Sequence, residues 1–116
     1  MSKDLDEYKR LMDKLAGLAS SCVTAKKIRN EQTFLFDGEK RHYEILLSLN
    51  AEQRTAVADL LDEARSGGIH DALVLFEDND CGLVSNGIKL PKQPFGTQSF
   101  YDFVGRLHGD EWPDAT

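Results

Sequence analysis

Ser66-Gly67-Gly68-Ile69-His70-Asp71-Ala72-Leu73-Val74-Leu75-Phe76-Glu77 is the stretch on which the class of the fold turns. Ile69, Ala72, Leu73 and Phe76 recur at helical spacing, whereas residues 72–76 also make the short unbroken apolar run of a buried strand. We prefer the helical reading. It gives a mainly α fold, a single domain over residues 1–116 built of four or five helices with a small β-hairpin near residues 83–90. The strand reading would instead set residues 72–76 beside that hairpin as a three-stranded meander, in an α+β fold. On either reading Ser66-Gly67-Gly68 is expected to end the helix before it.

Downstream, Asn86-Gly87 stands between Leu83-Val84 and Ile88-Lys89-Leu90, the strongest short-range signal for a two-residue hairpin turn. Pro91, Pro94 and Gly96 then make a rigid loop. Thr97 is the expected N-cap of a last short helix whose buried stripe is Phe100, Phe103, Val104 and Leu107, with Gly109 as its terminator. An acidic tail follows from about residue 109.

Upstream, Asn50 followed by Gln53 has capping-box spacing ahead of a helix with Val57, Leu60, Leu61 and Ala64 along one stripe. Before it, residues 32–36 read as an apolar connector and Asp37-Gly38 as a turn, with Asp37 capping a helix over residues 39–48 that buries Tyr43, Ile45, Leu46 and Leu49. From Lys3 to about Arg29 the apolar residues Leu5, Tyr8, Met12, Leu15, Ala19 and Cys22 alternate spacings of three and four, which predicts one long amphipathic helix. Ser2 is its N-cap; acids lie near its start and Lys26, Lys27 and Arg29 near its end, as the helix dipole favours. Such a stripe serves either packing inside a monomer or the seam of a homodimer. Gly17, Ala16, Ala19 and Ser20 favour close packing inside the domain.

The 116 residues carry a net charge of −6 and a pI near 5.0, so the chain lacks the basic stripe that neutralises phosphate, and nucleic acid is excluded as a partner for most of the surface. A basic protein is the electrostatic complement. Cys22 and Cys81 belong to no Cys-x-x-Cys pair and read as reduced thiols. Charged residues break up the first ten positions, and no run approaches the ~20 apolar residues a bilayer requires, so a cytoplasmic protein without membrane association is expected.

The sequence carries little recognisable chemistry. His70-Asp71 and His108 are the only His-plus-acid candidates for a metal or acid–base site, and they lack His-x-x-x-His or His-Glu-x-x-His spacing. Asp71 in a first helical turn and His108 near a helix end also serve the helix dipole alone. Asp78-Asn79-Asp80 fails the EF-hand pattern, with Gly82 and Lys89 where oxygen ligands are needed. No phosphate-binding glycine loop or nucleophile elbow occurs. No cofactor and no metal are expected. Tyr101, Asp102, Asp110, Glu111 and Trp112 form instead an aromatic and acidic cluster of the kind that anchors and steers a protein partner. Trp112 has a second reading, as a ring that folds back to close the core.

Gly68-Ile69-His70-Asp71, Asn86-Gly87-Ile88-Lys89-Leu90-Pro91, Pro94-Phe95-Gly96-Thr97, Tyr101-Asp102-Phe103-Val104 and Gly109-Asp110-Glu111-Trp112-Pro113 together resemble a family of small bacterial proteins known only as a domain of unknown function. The resemblance runs from about Asn50 onward and implies a bacterial origin; it brings no activity, cofactor or ligand. The expected function is therefore a non-enzymatic protein-interaction module, of which an immunity-type inhibitor of a basic toxin is one form. The alternative is a small metal-dependent enzyme or metal-binding protein using His70, Asp71 and His108.

Overall fold

The N-terminal apolar stripe forms helix α1, Lys3–Ala19, in a computed structural model that describes residues 2–30 and 40–114. The single helix expected to continue to residue 29 is two. Ser20 ends α1, its hydroxyl donating to the Ala16 carbonyl at 2.5 Å, and Cys22 is extended before α2, Val23–Arg29. Two consecutive serines compete for the backbone bonds that a helix interior needs, and that local competition outweighs the uninterrupted stripe. Ser2 is the N-cap residue of α1, but its side chain makes no capping bond.

Helix α3 spans Lys40–Ser48. The connector over residues 32–36, the Asp37-Gly38 turn, Glu39 and the Tyr43 side chain lie outside the described residues. Asn50 and Gln53 close the expected capping box reciprocally, with Gln53 N donating to Asn50 Oδ1 at 2.8 Å and Asn50 N to Gln53 Oε1 at 3.0 Å.

The helix so capped, α4, runs over Ala51–Asp78, and Ser66-Gly67-Gly68 does not end it. The stretch over residues 69–77 is helical and no meander forms. Each glycine costs the helix about 1 kcal/mol relative to alanine. Burial of Leu73 and partial burial of Ile69 and Phe76 directly downstream offset that cost. The true end is at Asp80, whose φ of 51° lets Asp80 N reach the Glu77 carbonyl and Cys81 N the Phe76 carbonyl, at 3.1 and 2.8 Å.

Strands β1, Val84–Ser85, and β2, Ile88–Lys89, pair antiparallel with Val84 opposite Lys89 and Ser85 opposite Ile88. Asn86 and Gly87 both have positive φ, 52° and 74°, as the predicted two-residue turn requires. Gln98, not Thr97, is the N-cap residue of helix α5, Ser99–Leu107, and its side chain makes no capping bond; the Thr97 hydroxyl is used elsewhere. Gly109, at φ 83°, ends α5: Asp110 N donates to the Gly105 carbonyl and Gly109 N to the Arg106 carbonyl. Over the described residues the fold is thus mainly α with one small hairpin.

The chain forms two compact units, Met1–Ser20 with Ser66–Thr116, and Ser21–Arg65. In the first, α1 packs on α5 and on the hairpin around Tyr8, Met12, Ala16, Ala19, Leu73, Leu90 and Phe103. In the second, Ala25, Ile28 and Ala58 are buried with Cys22, Leu46, Val57 and Leu61 half-buried around them, and Arg29 pairs with Asp59 and Asp62. Leu60 and Ile45, expected inside, are exposed. Among the described residues no helix is long and apolar enough to cross a membrane.

Candidate functional site

The turn after α5 decides what its last residues and the tail can do. Because Gly109 reverses the chain, Asp110, Glu111, Trp112 and Pro113 run back beside Tyr101, Asp102, Gly105 and Arg106, and these eight residues line one groove of about 220 Å³. All five cluster residues of the C-terminal sequence are therefore brought together, but in different roles. Tyr101 is 64% exposed and stands over open solvent. Asp110 and Glu111 are exposed at the rim. Trp112 is half-buried: it stacks on Phe95 at 5.4 Å between ring centroids, meets Tyr8 at 6.2 Å in a tilted contact and has the Arg106 guanidinium 5.0 Å from its ring centroid. Of the two readings of Trp112, this is the ring folded back on the core. Phe95 is half-buried beneath it.

Asp102 is only 7% exposed, and its carboxylate faces inward. The Tyr8 hydroxyl donates to Oδ2 and the Thr97 hydroxyl to Oδ1, the latter at 2.5 Å. A carboxylate held by two hydroxyls in this way faces the core; it fastens α1, α5 and the loop before α5 to one another. Burial, reinforced by the hydrogen bond and negative charge of Asp102, pushes the Tyr8 phenol above its ordinary range.

Arg106 fixes the groove's wall. Its Nε donates to Asp13 on α1 at 2.6 Å and its Nη1 to the Asp110 carbonyl at 2.7 Å, so the tail is held at its first residue. Asp110 Oδ2 would lie 3.5 Å from a Cβ placed on Gly105, which makes position 105 a point of close approach between helix and tail.

A second polar cluster lies one residue away on α1. Glu7, 8% exposed, accepts from Arg10 Nε at 3.0 Å and Nη2 at 2.5 Å, from Ser85 Oγ at 2.8 Å and from Asn86 Nδ2 at 3.0 Å. The bonds from Arg10, then from Ser85, hold the Glu7 carboxyl down at a pKa of about 2. The hairpin is thereby clamped to α1 at its turn.

His70 and Asp71 are neighbours on α4, with His70 Nδ1 3.4 Å from Asp71 Oδ1. The imidazole also packs edge-on against Phe100 at 5.4 Å between ring centroids. His108 is the exposed C-cap of α5. Among the described residues no three His, Cys, Asp or Glu side chains are grouped so as to hold a metal ion. Cys22 and Cys81 are free thiols, and Asp80 pairs with Lys92.

Tyr8, Arg106 and Glu7 escape a reading of the sequence because each has a partner far away in the chain, whereas Thr97, expected as a cap, serves Asp102 five residues on. The one local trace is Tyr8 beside Glu7, a polar pair inside an apolar helical stripe. The chain matches the model of a family of unknown function, DUF6547, over residues 1–114. No curated protein and no solved structure matches it.

Proposed function

We propose that this chain, which belongs to the DUF6547 family of unknown function, is a non-enzymatic protein-binding module that takes a basic partner in the groove between α5 and the reversed tail. The observation that carries the reading is the groove itself. One concave surface joins an exposed aromatic ring, Tyr101, to the carboxylates of Asp110 and Glu111, against a wall fixed by Trp112 and Arg106. An aromatic side chain offers a large contact area with few rotamers to lose, and the carboxylates raise the rate of encounter with a cationic surface. The net charge of −6 extends the same attraction over the whole molecule. An immunity-type inhibitor that occludes a basic toxin is the specific form this chemistry fits.

The test is capture and kinetics. Wild-type protein immobilised on a sensor should bind a basic protein recovered from lysate with an association rate that falls steeply with salt. Asp110→Asn with Glu111→Gln should slow association and flatten that dependence. Tyr101→Ala should speed dissociation about tenfold, equivalent to ~1.4 kcal/mol. Capture that survives all three substitutions unchanged overturns the reading.

A further inference from the structure

We propose that Asn86 is a modification site, an asparagine whose deamidation is restrained by Glu7 and whose product carboxylate then keeps the hairpin off α1. The chemistry starts from Asn86-Gly87 at the exposed tip of the hairpin. Gly87 has no side chain to shield its backbone nitrogen, and the space a Cβ would fill there is open. In the reaction the Gly87 nitrogen attacks Asn86 Cγ and forms a five-membered imide. The Cγ–Nδ2 bond breaks, and Nδ2 leaves as ammonia with the proton given up by the Gly87 nitrogen. Water then opens the imide at either carbonyl, giving aspartate or isoaspartate. The balance is one amide and one water in, one carboxylate and one ammonium out, with no oxidant or reductant.

In the folded protein this step meets a specific obstacle. Nδ2, the atom that must leave, donates to Glu7 Oε1 at 3.0 Å, and Glu7 is itself fixed by Arg10 and Ser85. A carboxylate held ionised anchors the amide and has no proton to offer the departing nitrogen. Cyclisation therefore awaits local opening of the hairpin, a motion that costs less than global unfolding. Once formed, the product cannot go back to the clamp. It places a carboxylate where the donor stood, against an almost fully buried Glu7 whose adjacent Arg10 is already engaged through two nitrogens. Like charges at that separation disfavour docking. The hairpin brings Leu90 into the main core and Leu83 to its edge, so a hairpin kept off α1 uncovers apolar surface.

The experiment follows ammonia release and the matching mass change in the peptide containing Asn86, on full-length protein at neutral pH. Urea-unfolded wild type should convert fastest and native wild type slowest. Glu7→Ala, shown by circular dichroism to remain folded, should convert about tenfold faster than native wild type, the rate change expected if loss of the clamp eases opening by ~1.4 kcal/mol. Separately, Asn86→Asp should lower the melting temperature, and most of that loss should disappear when it is combined with Glu7→Gln, since the second carboxylate is then gone. Equal conversion rates in native wild type and Glu7→Ala, no conversion in the unfolded chain, or an Asn86→Asp deficit unchanged by Glu7→Gln would each overturn the proposal.

Discussion

Tyr8→Phe isolates the buried bond between Tyr8 on α1 and Asp102 on α5, because it removes one oxygen and leaves the ring against Phe95 and Trp112. What is lost is a donor to a carboxylate that is 7% exposed and therefore has almost no water to replace it. A hydrogen bond to a charged group contributes ~1.5–3 kcal/mol. Removing the only partner of a buried charge costs ~3–5 kcal/mol. Thr97 still satisfies the other oxygen, so the lower range applies and about 2 kcal/mol is expected. For a chain of this length that corresponds to roughly 6–10 °C in melting temperature. Trp112 is the sole tryptophan and touches Tyr8, so its fluorescence follows the unit that contains the substitution, while circular dichroism follows the helices of both. The same bond has an alkaline signature. The folded protein holds the Tyr8 proton more tightly than the unfolded chain, so this group's stabilisation is complete below the ordinary tyrosine value of 10.0 and is lost as pH rises beyond it. Tyr8→Phe should remove that part of the decline. A stability loss under about 0.5 kcal/mol would refute the reasoning, since surface substitutions commonly reach that size.

Trp112→Ala should destabilise the same unit by about 2 kcal/mol, less than the ~3–5 of a fully buried tryptophan because the ring is half-exposed; thermal melts check this. The depressed pKa of Glu7 places its contribution above the ordinary carboxyl value of 4.5, to be lost as pH falls toward about 2, so acid denaturation of wild type should steepen in that window and that of Glu7→Gln should not. Gly87→Val should cost ~1–2 kcal/mol through its positive φ alone, since the surrounding space is open, and Gly87→Asn should cost less; an unchanged melt for the valine variant would mean the turn accepts another conformation.

The parts of the fold legible in the sequence are those whose cause is local. Asn86-Gly87 specifies its turn through residues that tolerate positive φ, Asn50 and Gln53 specify a helix start through reciprocal bonds three residues apart, and Gly109 specifies a helix end. Where the reading failed, a local cue competed with burial or with another local cue. Ser66-Gly67-Gly68 carries the composition of a terminator, yet α4 passes through it because Leu73 and its neighbours gain more from a helical approach to the core than two glycines lose. At Ser20-Ser21 the opposite holds: the stripe continues, but Ser20 turns its hydroxyl on the helix's own carbonyl and the chain breaks.

The candidate site shows the same division at the level of single atoms. Five C-terminal residues were identifiable as a cluster because they crowd within twelve positions, and a turn at Gly109 suffices to bring them together. Their division of labour was not. Whether Asp102 faces solvent or the core depends on Tyr8, 94 residues away, and whether Trp112 is free depends on Phe95 and Arg106. With Asp102 held inward and Trp112 half-buried against Phe95 and Tyr8, Tyr101, Asp110 and Glu111 are the exposed residues of the cluster, those the proposed partner would meet first. A substitution that abolishes binding through Asp102 or Trp112 must therefore also lower the melting temperature, and one that acts through Tyr101, Asp110 or Glu111 must not.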